Sequence, residues 1–222
     1  MKIHTQLLAI AAAALLSHTA MAQSAGTWLG RVGATVLTPE VSGGVLSAPS
    51  LPNSKTDVAA ASQISGGITY MYTDNISVDV PIAPGFTHKL NGAGALKGLG
   101  EIGQVDALPI TAFVQYRFLE ADAAVRPYVG IGATYAYFYN ARGSAALTAL
   151  TNPGGPATKV TVDSQFILTP QIGLTFKLSE AFFMDLVYTK SLLKTTTHLS
   201  TGQTADINLD PYSVSLSVGF KF

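Results

Sequence analysis

The chain ends on DPYSVSLSVGFKF, where Tyr212, Val214, Leu216, Val218, Phe220 and Phe222 alternate with Ser213, Ser215, Ser217, Gly219 and Lys221. Side chains of a β-strand point alternately to its two faces, so this segment has one apolar face and one small or polar face. The same period-2 pattern recurs along the sequence. It predicts strands near 26–38 (Trp28, Val32, Ala34, Val36), 59–72 (Ile64, Ile68, Tyr70, Tyr72) and 75–83 (Ile76, Val78, Val80, Ile82). A fourth lies near 105–118 (Leu108, Ile110, Ala112, Val114, Tyr116, Phe118) and a fifth near 126–139 (Val129, Ile131, Ala133, Tyr135, Tyr137, Tyr139). Phe166, Leu168, Ile172, Leu174, Phe176 and Leu178 mark the sixth, and Phe182, Met184, Leu186 and Tyr188 the seventh, near 181–194. The tail is the eighth.

The connections alternate as well. Those at 73–75, 119–125 and 179–180 are short, whereas those near 39–57, 84–104, 140–161 and 195–206 are long and rich in Gly, Pro, Ser and Thr. Short turns at one end and long loops at the other belong to outer-membrane barrels, with the turns periplasmic. A soluble up-and-down barrel has no need of that asymmetry.

Composition sharpens the choice of solvent. Charged residues are 12% of the chain and hydrophobic ones 48%, against a usual charged fraction of about 25%. Lys2, the apolar run from Leu7 to Leu16 and Ala20-Met21-Ala22 have the order of a secretory signal. Residues 1–22 are therefore expected to be removed, leaving 23–222 as one domain. Beyond them no apolar stretch reaches the roughly 18 residues of a spanning helix. An exported, apolar chain without such a helix satisfies its backbone in a bilayer by closing a β-barrel. The predicted fold is all-β: an eight-stranded antiparallel transmembrane barrel, integral to a Gram-negative outer membrane, its apolar faces on lipid. Phe220 and the terminal Phe222 have the pattern read by the outer-membrane assembly machinery, an expected partner. Zero net charge gives no nucleic-acid footprint, and the lack of cysteine excludes disulfides and thiolate metal sites. No cofactor is expected.

With the strands placed, several segments resemble one family. RPYVGIGATYAYF (Arg126–Phe138) and LPITAFVQYRF (Leu108–Phe118) are similar to strands of the OmpW family, as are TPE after the first strand, PGFTHKL after the third, and the C-terminal strand. The similarity runs through essentially all of 23–222. Where the family usually has Pro-Phe-x-His, this chain has Pro84-Gly85-Phe86-Thr87-His88, with one residue inserted. The resemblance implies a narrow apolar channel for small hydrophobic molecules; a related member imports alkanes.

The residues themselves suggest three lumen features. Arg31, Asp79, Arg117, Lys177 and Asp185 point inward near the periplasmic turns and are expected to pair as a charged plug, since isolated buried charge is costly. Leu37, Phe113, Phe138, Ile167 and Val187 are expected to line an apolar upper lumen suited to a greasy solute. Pro81 and Pro109, at similar heights on neighbouring strands, give the ladder no N–H and mark a weak seam, a lateral exit into the bilayer. Simple bulges explain the prolines, and packing of a narrow barrel the apolar residues, without any transport role. An enzyme needs a nucleophile beside a base, but His88 and His198 sit in or beside loops without such a serine. Neither has an evident carboxylate partner for a metal, so no catalytic or metal site is predicted. A structural or adhesive barrel whose loops bind a partner is the alternative. The Ala-rich third loop is expected to form a short helix before its Pro-Gly break.

Overall fold

The computed structural model describes residues 23–222; the predicted signal segment, 1–22, lies outside them. The elements in chain order are β1 (Trp28–Thr38), β2 (Ser42–Gly43), β3 (Ser54–Val58), β4 (Ala61–Met71), β5 (Ile76–Ile82), β6 (Phe86–Gly94), β7 (Glu101–Arg117) and β8 (Val125–Gly143). They continue with α1 (Ala145–Thr151), β9 (Val160–Val162), β10 (Gln165–Lys177), β11 (Phe182–Lys190), β12 (Lys194–Leu199), β13 (Thr204–Asn208) and β14 (Tyr212–Lys221). The strands β1, β4, β5, β7, β8, β10, β11 and β14 form a closed antiparallel barrel of eight.

Closure follows from the register of the two ends. Leu29 of β1 lies opposite Lys221 of β14, and Thr38 opposite Tyr212. Below that ladder Trp28 and Phe222 exchange backbone N–H···O bonds of 3.0 and 2.9 Å, so the last residue is held as a strand partner. The first and last strands therefore leave no free edge between them. Alternation then turns every second side chain out: Ile64 is 71% exposed, Phe166 81%, and a continuous apolar belt surrounds the wall. Trp28 and Tyr70 pack at the turn end, ring centroids 4.8 Å apart, and Tyr135 lies 4.5 Å from Phe166 towards the loop end. These are the aromatic girdles of a barrel in lipid.

The long connections are not the irregular loops expected from their composition. β7 and β8 run 17 and 19 residues, past the roughly ten that cross a bilayer. β6 pairs with the upper half of β7 and with β3, while β2, β13, β12 and β9 form a separate four-stranded sheet. The Pro84-Gly85 step hid β6, although Phe86 and His88 alternate with Thr87 and Lys89. Its missing Cβ makes Gly85 fit: one built there would lie 2.0 Å from the Tyr139 hydroxyl.

The helix is present as α1. The Ser144 hydroxyl accepts the Leu147 N–H at 3.3 Å, and the helix stops before Pro153. Leu147 is buried with Leu96, Ile102, Val160 and Leu199, which anchors α1 to the loop-end sheets.

Candidate functional site

The lumen is stratified. At its foot Leu29, Met71 and Phe183 form a buried apolar cluster, and Gln23 lies across the mouth with its N–H on the Ala121 carbonyl. Directly above, Arg31 makes a bidentate pair with Asp79, at 2.6 and 2.9 Å, and reaches Asp185 at 3.9 Å. Thr69 donates to Asp79 at 2.6 Å, and Tyr128 and Thr175 donate to Asp185 at 3.0 and 2.9 Å. Both carboxylates are thus met by several donors, which is what burial of ionised groups requires. Glycines give the large side chains room. A Cβ at Gly67 would stand 2.7 Å from the Arg31 guanidinium, and one at Gly173 would stand 2.2 Å from the Tyr128 ring.

Two members of the predicted plug behave otherwise. Lys177, the last residue of β10, reaches out of the lumen to Glu180 of the following turn at 2.6 Å. Its long stem lets the ammonium snorkel to water rather than bury it. Arg117 is buried, but among the described residues no carboxylate lies within ion-pair distance of it. It donates instead to Ser77, Gln115 and Thr175 at 2.9–3.1 Å and sits 4.5 Å over the Tyr128 ring. Gln115 passes the network on to Gln171 at 2.7 Å. Arg126 is not among the expected plug residues, although alternation with Val129 and Ile131 turns it inward; it is buried at the start of β8 and donates to the carbonyls of Gln23, Phe118 and Asp74. Three guanidiniums and two carboxylates are therefore gathered at the foot.

A belt of hydroxyls follows. Thr111, Thr134, Thr169 and Ser191 form a chain of shared hydrogen bonds of 2.8–2.9 Å, and Thr35 bonds both Ser65 and Ser215 at 2.6–2.7 Å. The serine face of β14 supplies part of it. Phe113 and Val187 belong at this height, not in the upper lumen: Phe113 lies opposite Asp79, and Val187 is one inward step above Asp185. They line a cavity of about 110 Å³ together with Ser65, Thr111, Thr169 and Gln171.

Above the belt is a second cavity, about 120 Å³, lined by Leu37, Ala136, Phe138, Ile167, Leu193 and other apolar side chains. Leu37, Pro109, Thr134 and Ser191 border both cavities. His88 also lines the upper one and is only 3% exposed, on the strand β6 rather than in a loop. His198 stays at the surface, but it has a carboxylate partner that the sequence did not suggest, Asp163 at 3.2 Å.

The wall has a break at the level of the two prolines. β5 pairs with β7 only from Ile76–Tyr116 to Asp79–Phe113, and pairing resumes with β6 at Phe86–Ala107. Between these points Val80–Gly85 and Leu108–Ala112 face one another without a ladder. Pro81 and Pro109 stand in the break and both border the lower cavity. One side-chain bond, Gln63 to the Gly85 carbonyl at 2.9 Å, ties its upper margin to β4.

Comparison with known proteins identifies the family of this chain. The OmpW family model matches residues 24–222. Outer membrane protein W of Vibrio cholerae is 30% identical over 95% of both chains. A dibenzothiophene metabolism operon protein, PahQ of Pseudomonas aeruginosa, is 25% identical over 88% of each. Among solved structures, the outer membrane protein OprG of Pseudomonas aeruginosa superposes with a TM-score of 0.81 at 21% identity, covering 91% of this chain and 99% of its own.

Proposed function

The chain belongs to the OmpW family of integral outer-membrane barrels, and on that premise we propose that it takes up small hydrophobic molecules from outside and passes them sideways into the bilayer. The observation that carries this reading is an apolar cavity stacked above a charged, hydrogen-bonded foot. A hydrophobic solute gains by leaving water for the upper cavity, roughly 25 cal/mol for each Å² of apolar surface it buries there. It gains nothing by descending, because the guanidiniums and carboxylates below would lose partners it cannot replace. The ladder break between β5 and β7 offers the other way out. Pro81 and Pro109 have no N–H to give, so parting the strands at this level breaks fewer hydrogen bonds than elsewhere in the wall. Lipid tails outside are as apolar as the solute, so its transfer costs little. The relationship to a dibenzothiophene metabolism operon protein is in keeping with apolar cargo.

Purified protein reconstituted in liposomes tests the proposal by uptake of an aromatic hydrocarbon or an alkane against small sugars and inorganic ions. Faster entry of the hydrocarbon than in protein-free liposomes, with no passage of sugar, is the expected result. A barrel that conducts sugars and ions but leaves hydrocarbon entry unchanged contradicts it.

A further inference from the structure

The upper cavity is apolar, yet a buried imidazole stands in its wall. His88 lies on β6 above the spanning part of the barrel and stacks beside Phe86, with ring centroids 6.5 Å apart. Its Nδ1 is 2.8 Å from the carbonyl oxygen of Ala59. A carbonyl only accepts, so Nδ1 carries the proton, and in the neutral ring Nε2 presents a lone pair. Burial pushes the imidazole below its usual value of 6.5, which keeps it neutral at neutral pH. Among the described residues nothing donates to Nε2, although the side chain is more than nine-tenths buried beside empty space.

The other polar side chains of this cavity are differently placed. Ser54 donates to the Leu51 carbonyl and Thr195 to the Asp163 carbonyl, while Thr134 and Ser191 are consumed by the hydroxyl belt. Thr56 and Thr197 are only partly buried, and a hydroxyl can turn to donate or accept. His88 Nε2 alone is restricted to accepting. An open acceptor in an apolar pocket discriminates: it rewards a guest with a donor at that point, and it is left desolvated by a guest without one.

Size narrows the class. A cavity of about 120 Å³ is near the roughly 150 Å³ that holds a benzene-sized guest. We propose that His88 Nε2 is a specificity-determining acceptor, selecting small apolar guests that carry one hydroxyl, of which phenol is the simplest aromatic case. The assignment rests on the uptake reading above and names its substrate class: single-ring or short-chain alcohols in preference to the isosteric hydrocarbons.

Phenol and toluene differ by OH against CH₃ and separate the two claims. Binding of each is measured to the full barrel in lipid nanodiscs, for the natural chain and for His88→Leu, with barrel integrity checked by circular dichroism. The ratio of phenol to toluene affinity is the readout, because membrane partitioning cancels when it is compared between the two proteins. It is expected to fall about tenfold in His88→Leu, as loss of one buried hydrogen bond implies. A second measurement needs no variant. In ¹⁵N-histidine-labelled protein, phenol should shift the His88 Nε2 resonance saturably, toluene should not, and His198 serves as the internal reference. An unchanged ratio together with an unmoved Nε2 resonance overturns the role of His88 while toluene binding leaves the uptake reading standing. Failure of both guests to bind overturns both.

Discussion

At the foot of the barrel, Arg31 lies 2.6 Å from Asp79, and the neighbouring hydroxyls and amides are spent on guanidiniums or carboxylates. At the loop end the same strands carry Leu37, Ala136 and Ile167 around empty space. On the barrel strands themselves the outer faces of the two regions are alike, with apolar side chains exposed at both levels. The difference lies wholly on the inner face, and it shows what each region is free to do. A region whose buried donors and acceptors are nearly all committed, Ser217 Oγ opposite Asp185 being the exception among the described residues, resists change. A region of apolar walls loses little when its contents are exchanged.

The largest effect should come from breaking the committed region at its carboxylate. Asp79→Ala leaves the Arg31 guanidinium with Thr69 and the longer contact to Asp185, and removing one partner of a buried pair costs about 3–5 kcal/mol. Urea unfolding in detergent should show it, and a loss below about 1 kcal/mol would mean that this layer is hydrated. Arg117→Ala should cost less, about 1.5–3 kcal/mol, since it removes charge-assisted bonds to neutral acceptors and orphans no carboxylate. If Arg117→Ala proves the more damaging of the two, the pairing described for the foot is wrong. Ile167→Ser, in the apolar region, should change stability least but weaken binding of a hydrocarbon about tenfold, through about 1–2 kcal/mol of lost apolar contact. Equal binding by that variant would detach the upper cavity from function.

Much of the comparison was legible in the sequence because period-2 alternation assigns a face to every residue. Height is a different matter. Phe113 is one of the inward positions of its strand, but only pairing with Asp79 reveals that it stands low in the barrel. Register comes from neighbours far along the chain, and alternation carries no information about it. Strand ends loosen the rule: Lys177, inward by alternation, bends outward to Glu180, whereas Arg126 keeps its assigned face and folds inward across the mouth. The strand β6 was obscured by Pro84-Gly85, whose local signal is a turn and whose alternation afterwards is brief. The prolines of the break could be placed at similar heights from the sequence, but not the missing ladder between them.

That break is where the account is most exposed. Ile82 and Ile110 follow the two prolines, point outward, and face each other when the Asp79–Phe113 register is carried upward. The chain has no cysteine of its own, so Ile82→Cys with Ile110→Cys introduces a single oxidisable pair. Uptake of a hydrophobic solute into liposomes should fall sharply when the pair is oxidised and recover on reduction, with the barrel folded in both states. Undiminished uptake through the oxidised barrel, with the disulfide verified by mass, would contradict the lateral route and require passage through the charged foot.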